Sequence, residues 1–180
     1  HKEHLMNTPS LRPEGERGQH GAHDFDFLYG HWRVHNRRLR ERLQGCTEWE
    51  VFEATQHARA LPGGIGNYDD FIAPDWRPGF VGMTLRVYSP QTRLWSLYWL
   101  DNQTGGMDAR GLLQPPVVGS FNNGVGVFEG DDLLRGQPIR VRYIWSDLQR
   151  DSAHWAQEMS ADGGAHWERN WEMRMQRCPG

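Results

Sequence analysis

Whatever chemistry the sequence encodes rests on polar side chains set into aromatic-rich segments. Asn36 and Arg38 share one face of an alternating run with Trp32 and Val34, Asn67 and Asp69 share another, and Arg86 stands between Leu85 and Val87. Arg140 and Arg142 share a face with Ile144, and Glu158 and Asn170 flank a terminal hairpin beside Trp167 and Trp171. Turned inward, such residues make a polar cavity in which arginine receives a carboxylate or phenolate through paired N–H groups and a carboxylate moves a proton. The expected ligand contacts are Asn36, Arg38, Asn67, Arg86, Arg142 and Asn170, with Trp99, Trp145 and Trp171 as stacking walls. If the cavity supports a reaction, Asp101 or Glu158 is the expected base and Tyr98 or Tyr143 the expected proton donor. Turned outward, the same groups are solvated or paired for structure, and each of them taken singly reads that way.

Several chemistries are excluded by composition. The 20 Lys+Arg against 23 Asp+Glu give a net charge of -3, so no electrostatic footprint for nucleic acid exists. The one lysine, Lys2, lies in the polar N-terminal stretch, which removes a Schiff-base lysine from the folded part. Cys46 and Cys178 make neither a disulfide framework nor a Cys-x-x-Cys site. No apolar run approaches the roughly 18 residues of a membrane span, and no signal-peptide core is visible, so a cytoplasmic protein with no membrane partner is the expectation.

Histidine spacing argues against a metal. His31 and His35, on a strand at about 3.3 Å per residue, stand about 13 Å apart. A turn centred near Asp162-Gly163 would put His154 opposite about Trp171 and His166 opposite about Met159, so these two do not meet. No metal and no resident cofactor are expected. The alternative is haem, for which a single axial histidine suffices, with His154 or His57 as the candidates. Gly-x-Ser-x-Gly and phosphate-binding glycine loops are absent.

The elements that must position these residues are short and extended. Residues 1–23 read as a flexible arm, with 1–5 as a tag remnant, and 24–177 as one domain. The stretch 24–32 packs Phe25, Phe27, Leu28 and Tyr29 ahead of Gly30 and Trp32, which reads as a short helical or 3₁₀ plug feeding a first strand. Strands follow at 31–40, 47–60, 65–72, 79–88, 93–101, 117–121, 125–130, 139–146, 152–160 and 165–177, joined by turns such as Ser89-Pro90-Gln91-Thr92 and Asn122-Asn123-Gly124. Nine or ten strands with no long helix predict an all-β antiparallel meander barrel, closed because closure removes edges, with a β-sandwich as the alternative. The nine tryptophans fill its core or line a pocket.

Two features refine that expectation. The strand 93–101 carries Trp95, Leu97 and Trp99 on one face and Leu94, Tyr98 and Leu100 on the other, so its outer side needs cover, and a homodimer through barrel flanks is expected. Ser160-x-Asp162-x-Gly164-x-x-Trp167 matches the Asp-box pattern, which occurs once and reads as a structural hairpin.

As a set, the runs 25–32, 34–39, 63–67, 95–99, 115–119, 138–143 and 162–171 resemble a group of bacterial lipocalin-like (calycin) proteins carried as a domain of unknown function. The resemblance spans about residues 24–177 and implies a calycin barrel with a central cavity. No activity and no catalytic residue come with it. The expected function is binding of a small apolar or aromatic ligand bearing an acidic or hydroxyl group. A cofactor-free cyclase, isomerase or decarboxylase using the same cavity is the alternative. A haem-binding barrel is the third reading, and a filled, purely structural barrel another.

Overall fold

The computed structural model describes residues 21–103 and 105–180. Period-two alternation broken by Gly, Pro, Asn and Asp produces ten strands among them: β1 Gly30–Leu39, β2 Trp49–Ala60, β3 Gly66–Ile72, β4 Val81–Ser89, β5 Leu94–Asp101, β6 Val117–Asn122, β7 Val125–Leu134, β8 Gln137–Ser146, β9 Ser152–Ser160 and β10 Glu168–Arg177. Each pairs antiparallel with its neighbours in the chain. The sheet closes where β1 meets β10, with Trp32 opposite Arg177 and Arg38 opposite Trp171. A closed meander leaves no unpaired edge. Tight turns set the registers: Asn123 and Gly124 both take positive φ, 51° and 76°, as a two-residue hairpin of this hand requires.

No α-helix occurs among the described residues. In place of a helical plug, residues 21–29 form turns and one 3₁₀ turn, Asp26–Leu28. Three residues are too few to build a helical nucleus, which needs several dihedrals fixed per hydrogen bond. The segment is held by tertiary contacts instead. Phe25 is fully buried, edge-on to Trp95 and Phe121 at 4.9 Å and within 6.1 Å of Trp145. It crosses the barrel end that carries the β4–β5, β6–β7 and β8–β9 turns. The arm expected over 1–23 falls outside the described residues except for its last three, where the Trp95 indole N–H donates to the Gly21 carbonyl at 3.1 Å.

Strand boundaries differ from the sequence pattern by one or two residues in β1–β6, and further differences lie in β7, β8 and β10. β7 continues to Leu134 rather than stopping at Gly130, and β8 begins at Gln137, before Pro138. Gly130 is there because an added Cβ would lie 2.6 Å from the Pro116 carbonyl, so it marks a close approach and not a strand end. The last strand begins at Glu168, since the Asp-box turn takes up 161–167. That turn is knitted by Asp162 and Ser160: His166 N–H donates to the Asp162 carboxylate and Gly164 N–H to the Ser160 hydroxyl, both at 2.9 Å. Its centre is shifted towards Gly164 and a bulge intervenes between Arg169 and Trp171, so His154 faces Arg174 rather than Trp171 and Met159 faces Glu168 rather than His166.

Arg177 ties the closing segment to the seam. Its guanidinium donates to the carbonyls of Tyr29 and Phe27, each at 2.5 Å, and to Arg150 at 2.9 Å, while stacking 4.2 Å from the Trp32 ring. Charged donors of this kind contribute about 1.5–3 kcal/mol. Arg177→Ala should therefore lower unfolding stability by about that amount in urea titrations, whereas the exposed Arg174→Ala should change it little.

Candidate functional site

Eight strands leave an interior that side chains fill or that holds one small ligand, and ten enclose more. Here the interior contains a cavity of about 310 Å³, near the lower bound of the roughly 300–1,000 Å³ typical of small-molecule pockets. Its walls are Phe71, Trp99, Tyr143, Trp145, Trp155 and Trp171. The polar lining is Gln56, Asp69, Thr84, Arg86 and Gln157, and Asp131 and Asp132 of β7 stand with the β5–β6 connection at the opposite, open end.

Each wall is held from behind. The Trp99 indole lies across Gly82, where an added Cβ would come within 2.3 Å of the ring, and its N–H donates to Asp101 at 3.2 Å. The Trp171 N–H donates to the Asn36 side-chain oxygen at 2.9 Å, and Asn36 in turn donates to the Val34 carbonyl at 3.0 Å. Trp155 stands edge-on to Trp171 at 5.8 Å and packs 5.1 Å from Tyr143. Gln157 donates to the Asn170 side-chain oxygen at 3.0 Å, which fixes its amide. The aromatic box is thus oriented before any ligand arrives.

The floor is ionic. Arg86 donates to Asn67 at 2.9 Å and pairs with Asp69 at 2.5 Å, and Gln56 donates to the same Asp69 oxygen at 2.7 Å. The Arg86 guanidinium lies 5.2 Å from the Phe25 ring and 5.9 Å from that of Trp145, so it sits against the closed end. Burial pushes the Asp69 carboxyl above the usual aspartate range, opposed by the charge and hydrogen bond of Arg86 and by the Gln56 bond. Three nitrogen donors at this floor have no hydrogen-bond partner among the described residues: Nε of Arg86 and Nε1 of Trp145, whose side chains line the cavity, and Nδ2 of Asn67 behind them.

The open end has a different character. Asp132 points inward from β7, has no cationic partner among the described residues, and accepts only the Leu133 N–H at 2.7 Å. Burial raises its pKa, with the Leu133 bond opposing. The Tyr143 phenol is raised too, by burial first and by Asp132 second, with Arg86 pulling the other way.

Of the residues expected to bind ligand, Arg86, Trp99, Trp145 and Trp171 reach the cavity, as does Tyr143. Asn36, Asn67 and Asn170 are buried one layer behind, where they orient Trp171, Arg86 and Gln157. Arg38 bonds Glu50 at 3.3 Å between the Trp76 and Trp171 rings, 5.5 and 5.0 Å away, and burial reinforced by Arg42 lowers its pKa to about 10 against the opposing Glu50. Arg142 and Glu158 alternate to the outside, where they pair at 2.7 Å; Glu158 also holds Arg169 at 3.1 Å, and Arg142 covers the Trp167 ring at 4.0 Å. Glu158 is therefore a structural carboxylate of the outer wall. Asp101 accepts N–H bonds from Gln103 and Gly105 beside that from Trp99, which anchors the β5–β6 connection, and Tyr98 faces outward opposite Leu85.

His57 and His154 occupy outward positions, and no histidine among the described residues lines the cavity, so neither of the two offers an axial ligand to a group inside. No group of three or more His, Cys, Asp or Glu among the described residues is placed to hold a metal ion. Gln56, Thr84, Asp132, Trp155 and Gln157 were not legible as site residues. Their signal is alternation phase, which becomes readable once a neighbour such as Trp145 is known to point inward. In comparisons with known proteins, no family model matches the chain and no curated protein matches it.

Removing one member of a buried ion pair costs about 3–5 kcal/mol because the other is left uncompensated. Asp69→Ala should cost about that much in chemical denaturation, and Asp69→Leu combined with Arg86→Met should recover a large part of the loss. A near-zero effect of Asp69→Ala would show that the pair is not buried as described.

Proposed function

We propose that the barrel is a lipocalin-like binding protein for one small planar aromatic ligand whose acidic or phenolic oxygen docks on the floor at Arg86 and Trp145. The observation that carries this reading is the pair of unsatisfied buried N–H donors there. A buried donor left without a partner costs about 1–3 kcal/mol, and a ligand oxygen removes that cost. Arg86 is already neutralised by Asp69, so the floor favours an acceptor without demanding a full negative charge. Four indoles and the Phe71 and Tyr143 rings supply the flat apolar walls.

Tryptophan fluorescence titrated with aromatic carboxylic acids and phenols, and with matched hydrocarbons, tests the reading. The acids or phenols should change the emission saturably, and Trp145→Phe should weaken them by about threefold to tenfold, the value of one hydrogen bond. Equal binding of the matched hydrocarbons would remove the role of the floor, and a flat response to every compound would remove the binding reading.

A second reading has its own support. Asp132 is an inward, half-buried carboxyl with no cation beside it among the described residues and a raised pKa, and its charge is felt by the Tyr143 phenol. That environment suits a general base acting on a bound ligand, with Tyr143 as proton donor and the floor holding the developing oxyanion. In this enzyme reading Asp132 replaces Asp101 and Glu158 as the base. Turnover should then rise with pH through a titration above the ordinary aspartate value of about 4, and Asp132→Asn should abolish turnover while leaving ligand affinity within about twofold. Unchanged turnover in Asp132→Asn would exclude it.

A further inference from the structure

The charges that line the cavity do not cancel. At the floor Arg86 and Asp69 neutralise each other at 2.5 Å, with Arg86 only 3% exposed. At the open end two carboxylates of β7, Asp131 and Asp132, face the same space, and among the described residues no lysine, histidine or second arginine lines it. Asp131 is committed elsewhere, to the Arg140 guanidinium at 2.9 Å. The guanidinium packed on the Trp171 wall, Arg38, is held by Glu50 and does not line the cavity. Asp132 is left over. It alternates inward with Phe128 and Gly130, has no cationic partner among the described residues, and accepts only the Leu133 N–H. Burial raises its pKa, and the Leu133 bond alone opposes that shift.

The two ends of the cavity are therefore opposite in kind. The floor holds buried donors without acceptors, Arg86 Nε and Trp145 Nε1, and the mouth holds an anion without a cation. They are far apart. Gly126 pairs with Trp145, and Asp132 stands further along the same strand, about 15 Å along the barrel axis at about 3.3 Å per residue and a tilt of roughly 40°. One carboxylate or phenol cannot serve both ends, but one elongated molecule can. The Tyr143 phenol, raised by burial first and by Asp132 second and lowered by Arg86, is within electrostatic reach of both.

Resting on the binding reading above, which puts an oxygen at Arg86 and Trp145, we infer that the ligand is an aryl alkylamine, with its protonated amine on the opposite side of the ring from that oxygen and paired with Asp132. An ammonium supplies the missing counter-charge through a charge-assisted hydrogen bond. The indole faces of Trp99, Trp155 and Trp171, which line the same cavity, attract a cation through the ring quadrupole. A second acid in that position meets the Asp132 charge instead, so the mouth rejects diacids while the floor accepts the phenol or acid end.

Isothermal titration calorimetry of the full chain at neutral pH tests this, with 4-(2-aminoethyl)phenol and its longer-chain homologues, 3-(4-hydroxyphenyl)propanoate and 4-ethylphenol as probes. At least one amine should bind about tenfold tighter than 4-ethylphenol, the value of one charge-assisted hydrogen bond, and the propanoate should bind more weakly than 4-ethylphenol. Asp132→Asn should abolish the preference for the amine and leave 4-ethylphenol unchanged, which also reports that the variant is folded. Asp131→Asn should keep the preference. Amines that bind no tighter than 4-ethylphenol, or a preference that survives Asp132→Asn, overturn the inference and leave the floor reading standing. An equal loss in Asp131→Asn overturns the assignment to Asp132. If no probe binds, the binding reading falls and this inference with it. The enzyme reading expects Asp132→Asn to spare affinity, so the same variant separates a counter-ion from a base.

Discussion

Burying a guanidinium and a carboxylate inside a barrel of aromatic rings costs several kcal/mol per ion before their attraction is counted. The Arg86–Asp69 pair is arranged to offset that cost. Asn67, Gln56 and the backbone N–H of Thr84 hydrogen-bond to the pair, leaving the Arg86 Nε without a partner among the described residues, and Phe25 and Trp145 pack around the guanidinium. The pair thereby couples β2, β3 and β4 to the segment that crosses the closed end. Phe25 lies against the Arg86 guanidinium, so losing Asp69 alone would leave Phe25 packed on an unpaired charge. Above this floor stand the aromatic walls, with Gln157 among them, and the cavity opens at the end where Asp132 stands.

The same constraint explains why β4 turns its apolar residues outward. A strand has two faces and a fixed period, so sending Thr84 and Arg86 into the interior necessarily sends Met83, Leu85 and Val87 the other way. The polar cavity and the charge-free flank are two results of one phase choice. A single-residue slip would convert both at once, which makes the register of β4 the most consequential in the sheet.

Strand number, antiparallel order and the missing long helix were legible because they rest on local signals, Asn-Gly turns and period-two alternation. In β5 the site was legible only in part: Trp95, Leu97 and Trp99 share the face that turns inward, but Leu94, Tyr98 and Leu100 make the other face look equally suited to burial. It was not legible in β8 and β9, where Arg142 and Glu158 look as suited to a cavity as Tyr143 and Gln157, because sequence supplies the period and not the phase. Asn170 illustrates the limit further: the bulge at this position shifts everything after it by one residue. Asp132 was hidden for another reason, since Gly130 resembled the end of a strand while actually admitting the Pro116 backbone.

The barrel is sealed by its first and last strands, with the Cys178 N–H donating to the His31 carbonyl at 2.8 Å just beyond the paired residues. Nearly the whole chain is the loop that this contact closes. A nascent chain therefore holds an open, curling sheet until β10 has emerged, with β1 as a bare edge and half of the aromatic interior in contact with water. Folding of such a topology is slow, in the range of milliseconds to seconds, and the unsealed sheet is the form most exposed to aggregation. Arg177, the last residue of β10, fastens the segment that leads into β1, so the floor is complete only once the last strand is in place.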